Sequence, residues 1–436
     1  MNMYAWVGVI GIIVLSLISL IQKEDRTKEN IRKSMFMISI ALGIIVAVLV
    51  FHIDYLLAII VGFLLIILFD KKTYTKKRLI IYGSIILILS ITFFILLREN
   101  PDYVLDYLKE HPESTSLYLV ENGDVLSAYQ ADEIRPLAST VKIIIAIEYA
   151  MQIEDQKLAK DQPVPLKDLE RFYIENTDGN AHENWLETMK EEDKIKNGEV
   201  ALHDVARGMI ANSSNANTEY LINLLGVDAI NKRIDKLGIK QHDKIYPIVS
   251  ALLIPEHVKT ETMEEEALIQ KLEKMPMEEY RLMAEQLSKD MQAGKIKAGD
   301  VTFDSSLDVQ KIWSDRLPGS TAEAYGKLLH NISSDQLPEG VNATVRDLLE
   351  WPMEMHEENQ ETFAHLGAKG GSTAFITTNT MYAETKEGDQ IEIALLIDDL
   401  STFEGMRVRN SQNAFELKLL TDADYRKKVQ KELADS

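Results

Sequence analysis

The chain has 436 residues, no cysteine, and 68 acidic against 47 basic residues, a formal net charge of −21. The absence of cysteine rules out disulfides, a thiol nucleophile and a thiolate metal site, and the acidic balance disfavours nucleic acid and anionic membrane surfaces as partners. None of the nine histidines sits in a ligand pattern such as His-Glu-x-x-His, so no metal or other cofactor is expected.

Four apolar runs open the chain, at 3–21, 35–51, 55–69 and 79–97, of 19, 17, 15 and 19 residues. A membrane-spanning helix needs about 20, and these runs are too long and uninterrupted for soluble helices. The segments 23–34 and 71–78 between them each carry five Lys or Arg, whereas His52-Ile53-Asp54 carries none. By the positive-inside rule the two basic loops are cytoplasmic, which places everything after Arg98 outside the cell membrane. The first run lacks a basic leader and a small-residue cleavage site, so a cleaved signal peptide is not expected. Residues 1–98 hold 11 basic and 5 acidic residues, which leaves a net −27 for the rest. A four-helix transmembrane domain over 1–98, a linker over 99–113 and an ectodomain over 114–436 follow.

Within the ectodomain, Ser116–Val120 and Val125–Tyr129 read as two strands, with Asn122-Gly123 as the hairpin signal. Arg135-Pro-Leu-Ala then leads into Ser139-Thr140-Val141-Lys142, the only place where a serine is followed three residues later by a lysine. The apolar run 140–151 has the length of a buried helix. A serine at its N-terminus feels the helix dipole, and a lysine one turn on reaches the same oxygen. A nucleophile beside a potential base is the minimal equipment for acyl transfer, although a capping serine and a solvated lysine make the same pattern.

Two later motifs change the weighing. Ser213-Ser214-Asn215 falls between two helical patterns, and Lys369-Gly370-Gly371 leads into a β-rich segment over 372–384. Lys-x-Gly occurs five times and Ser411-Gln412-Asn413 is a second Ser-x-Asn, so order and context carry the signal. Hairpin, Ser-x-x-Lys, Ser-x-Asn and Lys-x-Gly in that order resemble a class A β-lactamase, or more broadly a penicillin-recognising serine hydrolase, over about 114–425.

The resemblance implies roles for these residues. Ser139 forms an acyl-enzyme and Lys142 helps take its proton. Ser213 relays a proton to the leaving nitrogen, and Asn215 orients Lys142 and the substrate amide. Lys369 holds a substrate carboxylate. The backbone N–H groups of Ser139 and Ser372, the latter following Gly371, form the oxyanion hole. Two departures stand against a fast β-lactamase. The Glu-x-x-Leu-Asn loop that supplies the deacylating carboxylate is absent from 244–257, where Glu256 is the nearest candidate, and Glu219 stands where an asparagine usually braces that loop. Gly370 also replaces the usual Thr or Ser, removing a hydroxyl that often contacts the substrate carboxylate.

The expected fold is therefore α+β: an antiparallel sheet from both chain ends flanked by helices, with an all-α lobe contributing Ser213, preceded by four transmembrane helices. Two stretches exceed the family outline. One spans 161–198. The other, 257–315, reads as a helical pair joined near Pro276, a solvated insertion more than a lid or protein-binding arm. A final helix is expected over 417–433. The expected function is a membrane-anchored extracytoplasmic serine hydrolase acting on β-lactams or a related cell-wall amide or ester. The alternative is a β-lactam sensor or D-Ala-D-Ala-type peptidase that acylates but deacylates slowly.

Overall fold

The computed structural model describes residues 99–298 and 306–435, which belong to one compact unit spanning 98–436. The four apolar runs lie outside the described residues. Among the described residues no helix is long and apolar enough to cross a membrane.

The stretch expected as a linker is mostly helix. Asn100 caps α1 (Pro101–Glu110) by accepting from the Asp102 N–H, with proline in the first turn. Val104, Leu105, Tyr107 and Leu108 form one buried stripe, so the helix is held by packing that its short, polar sequence conceals. The hairpin follows as β1 (Thr115–Glu121) and β2 (Asp124–Tyr129). Asn122 and Gly123 both take positive φ, 53° and 85°, which a two-residue turn between twisted strands requires.

The apolar run after Ser139 becomes α2 (Lys142–Glu154), whose residues 142–150 are all buried. A helix apolar all round belongs in a core. It packs against α4 (Asn215–Leu225), α5 (Val227–Lys236) and α10 (Glu339–Leu349), and the chain also forms α3 (Ala181–Glu191), α6 (Glu265–Lys274), α7 (Met277–Gln292), α8 (Leu307–Asp315) and α9 (Ala322–Ser333). The chain then returns through β3 (Phe363–Ser372), β4 (Thr377–Thr385) and β5 (Gln390–Ile397), and ends in α11 (Thr402–Thr421) and α12 (Ala423–Ala434). The five strands form one antiparallel sheet in the order β2-β1-β5-β4-β3.

Alternation along the central strands divides the core. Leu117, Leu119, Ile393 and Leu395 pack with α1, α11 and α12 on one face. Tyr118, Val120, Ala394 and Leu396 pack with α2 and α9 on the other.

Three expectations need correction. Lys369-Gly370-Gly371 does not open a strand; it lies near the end of β3, which starts at Phe363, and the expected β-rich segment after it is β4 from Thr377. Glycines hid β3. Gly367 leaves room for the Tyr382 ring on β4, a tight approach that any side chain would block. The α6–α7 pair does meet at Pro276, yet it is no solvated appendage. Tyr280, Ala284, Leu287 and Met291 recur at helical spacing and are buried, and α7 packs on the 250–253 turn. The C-terminal segment is two helices: Asp422 ends the first and caps the second through the Tyr425 N–H.

Candidate active site

Ser139 is the second residue of a tight turn of 3₁₀ helix, Ala138–Val141, that runs straight into α2. Ala138 holds a positive φ of 47°, a conformation unfavourable for a residue with a Cβ. Two threonines lock this turn to β3 and β4. Thr140 Oγ1 lies 2.8 Å from Thr378 Oγ1, and Thr378 Oγ1 donates to the Leu137 carbonyl at 2.9 Å. Gly371 completes the join. A Cβ there would lie 2.9 Å from the Leu137 carbonyl oxygen, 2.8 Å from Thr378 Oγ1 and closer still to the Ser139 amide nitrogen.

Lys142, on the first turn of α2, is wholly buried. Its Nζ lies 2.7 Å from the Ser213 carbonyl oxygen, 3.2 Å from Ser213 Oγ and 3.2 Å from Asn215 Oδ1. Burial is the main force pushing its pKa far below the usual lysine range, and the like charge of Lys369 adds to it. As a neutral amine it can donate to the carbonyl and to Asn215, leaving a lone pair to accept a proton.

The Ser-x-Asn loop is built around an unusual backbone. A short π-helical turn, Gly208–Asn212, ends at Ser213, whose φ of 65° is left-handed. Ser214 then caps α4 by accepting from the Asn217 N–H, and its Oγ lies 3.0 Å from Nδ1 of the buried His182. Lys369 reaches the loop from β3. Its Nζ donates to Ser213 Oγ at 3.1 Å and to the Gly370 carbonyl at 2.7 Å. Burial pushes the Lys369 pKa down to about 7.

These groups surround a cleft of about 490 Å³ lined by Ser139, Ser213, Asn215, Gly370, Gly371 and Ser372, a size suited to a small-molecule ligand. The structure therefore brings Ser139, Lys142, Ser213, Asn215, Lys369, Gly371 and Ser372 to one place. Glu256 is not among the lining residues. Ile248 and Val249 form the wall on its loop. Glu219, fully buried, does brace that loop: its carboxylate accepts from the Val249 and Ser250 N–H groups and from the Ser250 hydroxyl. Burial raises its pKa.

Sequence reasoning passed over two lining residues. Asp178 sits in the 161–198 stretch first taken as outside the family outline, and its Oδ2 accepts the Asn215 N–H at 3.2 Å. Arg409 on α11 donates to the carbonyls of Thr373, Ala374 and Ile376, fixing the β3–β4 turn at the cleft edge. The Asn176-Thr177-Asp178-Gly179-Asn180 turn signal was visible, but nothing in the sequence aimed it at the cleft.

The fold, an antiparallel sheet flanked by helices, is of the β-lactamase type. A family model for the beta-lactamase enzyme family matches residues 102–350, more than half of the chain, and the protein belongs to that family. No curated protein matches it. Solved structures similar to it include a β-lactamase from Chitinophaga pinensis (15% identity, 73% of this chain and 99% of that one, TM-score 0.43). A class A β-lactamase representative from Bacteroides cellulosilyticus matches at 15% identity over 78% and 98%, with a TM-score of 0.42. The L158E mutant of PBP-A, in its acyl-enzyme complex with penicillin G, matches at 13% over 73% and 95%, with a TM-score of 0.44.

Proposed function

We propose that this protein is a membrane-anchored serine hydrolase whose extracytoplasmic domain forms an acyl-enzyme through Ser139 on β-lactams or a related cell-wall amide or ester. The observation that carries the reading is the buried Lys142, its pKa pushed down by burial, hydrogen-bonded within the Ser213–Asn215 loop, with Lys369 also donating to Ser213 Oγ. In this scheme Lys142 takes the Ser139 proton as Oγ attacks the carbonyl carbon. The Ser139 and Ser372 N–H groups stabilise the oxyanion. The proton then passes from Lys142 through Ser213 Oγ to the leaving nitrogen, and the scissile C–N bond breaks. Lys369 supports the relay and attracts the substrate carboxylate.

The second reading, an acyl-enzyme that persists as in a peptidase or sensor, rests on the cleft wall. Ile248 and Val249 offer no base for a deacylating water, and Glu219 spends its oxygens on backbone N–H groups behind them. The two readings share the acylation step and differ in the next. Full-length protein in detergent, mixed with a fluorescent penicillin, should accumulate a covalent adduct faster than the β-lactam is consumed beyond one equivalent. Many turnovers per minute with no accumulating adduct would favour the fast hydrolase. No adduct with penicillins, peptides or esters would defeat both. The anchoring is tested separately: protease added to intact expressing cells should digest 99–436, and full protection would reverse the orientation.

A further inference from the structure

Asp178 is the only carboxylate among the described residues lining the cleft. Its Oδ2 accepts the Asn215 N–H at 3.2 Å and its Oδ1 accepts the Ala181 N–H at 3.1 Å. Both partners are neutral backbone donors, so the charge is held in place without a bound cation, and each oxygen keeps acceptor capacity. Asn215 ties it further to the reacting centre. One side-chain atom of Asn215 meets Lys142 and the other donates to the Thr177 carbonyl at 3.3 Å, so the 177–179 turn and the Ser-x-Asn loop form one rigid wall. Among the described residues lining the cleft the one cationic side chain is Arg409, held at the β3–β4 turn, and Lys369 reaches Ser213 Oγ from β3. The cleft is thus electrostatically polarised, negative on the helical wall and positive on the sheet wall.

We infer that this site selects acyl donors carrying a positively charged amine on the acyl side and a carboxylate on the leaving-group side, with Asp178 as the residue that recognises the amine. The inference rests on the acyl-transfer reading, in which Asn215 orients the amide of the acyl group and Lys369 attracts the carboxylate. An ammonium on an acyl group lying along Asn215 comes within reach of Asp178. In a half-open cleft one such pair changes acylation by about fivefold. It acts on recognition and not on the chemistry of Ser139.

The test uses two penicillins identical except that one has a free α-amine on its acyl side chain and the other has that amine acetylated. Second-order acylation constants are measured by intact mass on the full-length protein, and the ratio of the two is read within each variant, so that any general loss cancels. The expected ratio is about five in favour of the free amine, collapsing to about one in Asp178→Asn and persisting in Asp178→Glu. Raised ionic strength should lower the native ratio as well. A native ratio near one, or a ratio that survives Asp178→Asn, overturns the inference while leaving acyl transfer standing. Failure of both penicillins to label Ser139 overturns the β-lactam reading and the inference together.

Discussion

Gly371→Ala isolates the one close approach on which the alignment of the nucleophile depends. The added Cβ would lie 2.9 Å from the Leu137 carbonyl oxygen and 2.8 Å from Thr378 Oγ1, and nearest of all to the Ser139 nitrogen. Ordinary van der Waals contact begins near 3.4 Å, so β3 and the serine turn must part by about 0.5 Å at Leu137 and by more at Ser139. The same shift moves the Ser139 N–H, one of the two oxyanion donors in the proposed scheme. Losing one such donor costs about 10²- to 10³-fold in rate, and an ångström of misplacement costs about 10²-fold. Overpacking should destabilise the domain by only about 1–3 kcal/mol. The assay compares the acylation constant for an activated penicillin or thioester with the melting temperature of the same preparation. A drop of about 10²-fold in acylation with a melting temperature lower by a few degrees is expected. Acylation within about threefold of the native protein would refute the argument that this contact sets the geometry of Ser139.

Acylation by an anionic donor should follow a bell in pH: it rises as Lys142 loses its proton, at a pH well below that of an ordinary lysine, and falls as Lys369 deprotonates near 7. A neutral ester should lack the falling limb, and identical profiles for both donors would contradict the role of Lys369. Glu416, fully buried between Gln412 and Asn379, has its pKa raised by burial from an ordinary 4.5 to about 7. The folded state therefore binds the extra proton between those values, and stability falls as pH rises across that window. Glu416→Gln should stabilise the protein at pH 8 by up to roughly 3 kcal/mol and do little at pH 4, with the buried Asn379 Oδ1, which has no partner, available to the new amide; equal denaturant midpoints for both proteins at pH 8 would contradict it. Glu256→Gln should leave both acylation and adduct lifetime within about twofold, because Glu256 is not part of the cleft wall; a tenfold longer adduct lifetime would make it the deacylating base after all.

Much of the site was legible because its chemistry sits in short, ordered motifs. Ser139 and Lys142 share one turn, Ser213 and Asn215 one loop, and each motif is flanked by apolar runs of clear type. The hairpin was legible for the same reason, since Asn122-Gly123 satisfies a turn that only residues tolerant of positive φ can make. Other features depend on packing between distant segments. The strand holding Lys369 is rich in glycine and has little β propensity; it forms because β4 supplies a complete antiparallel partner from Thr377 to Thr385. α1 is polar on average and looks like a linker until the sheet covers its buried stripe. Tyr280, Leu287 and Met291 were lost among the charges of 257–315, although they repeat at the helical period. Asp178 and Arg409 lie 39 and 270 positions from Ser139, and no local pattern announces that the fold brings them to its cleft. Glu219 was visible as a departure, but only the structure shows its carboxylate doing the bracing expected of an asparagine amide.

The measurement closest to the central claim is peptide-mapped intact mass of the full-length protein after brief exposure to a β-lactam, run beside Ser139→Ala and Lys142→Ala. A single adduct on the peptide containing Ser139, absent from Ser139→Ala and slowed at least 10²-fold in Lys142→Ala, is the predicted result. An adduct on another residue, or one that persists in Ser139→Ala, would contradict it.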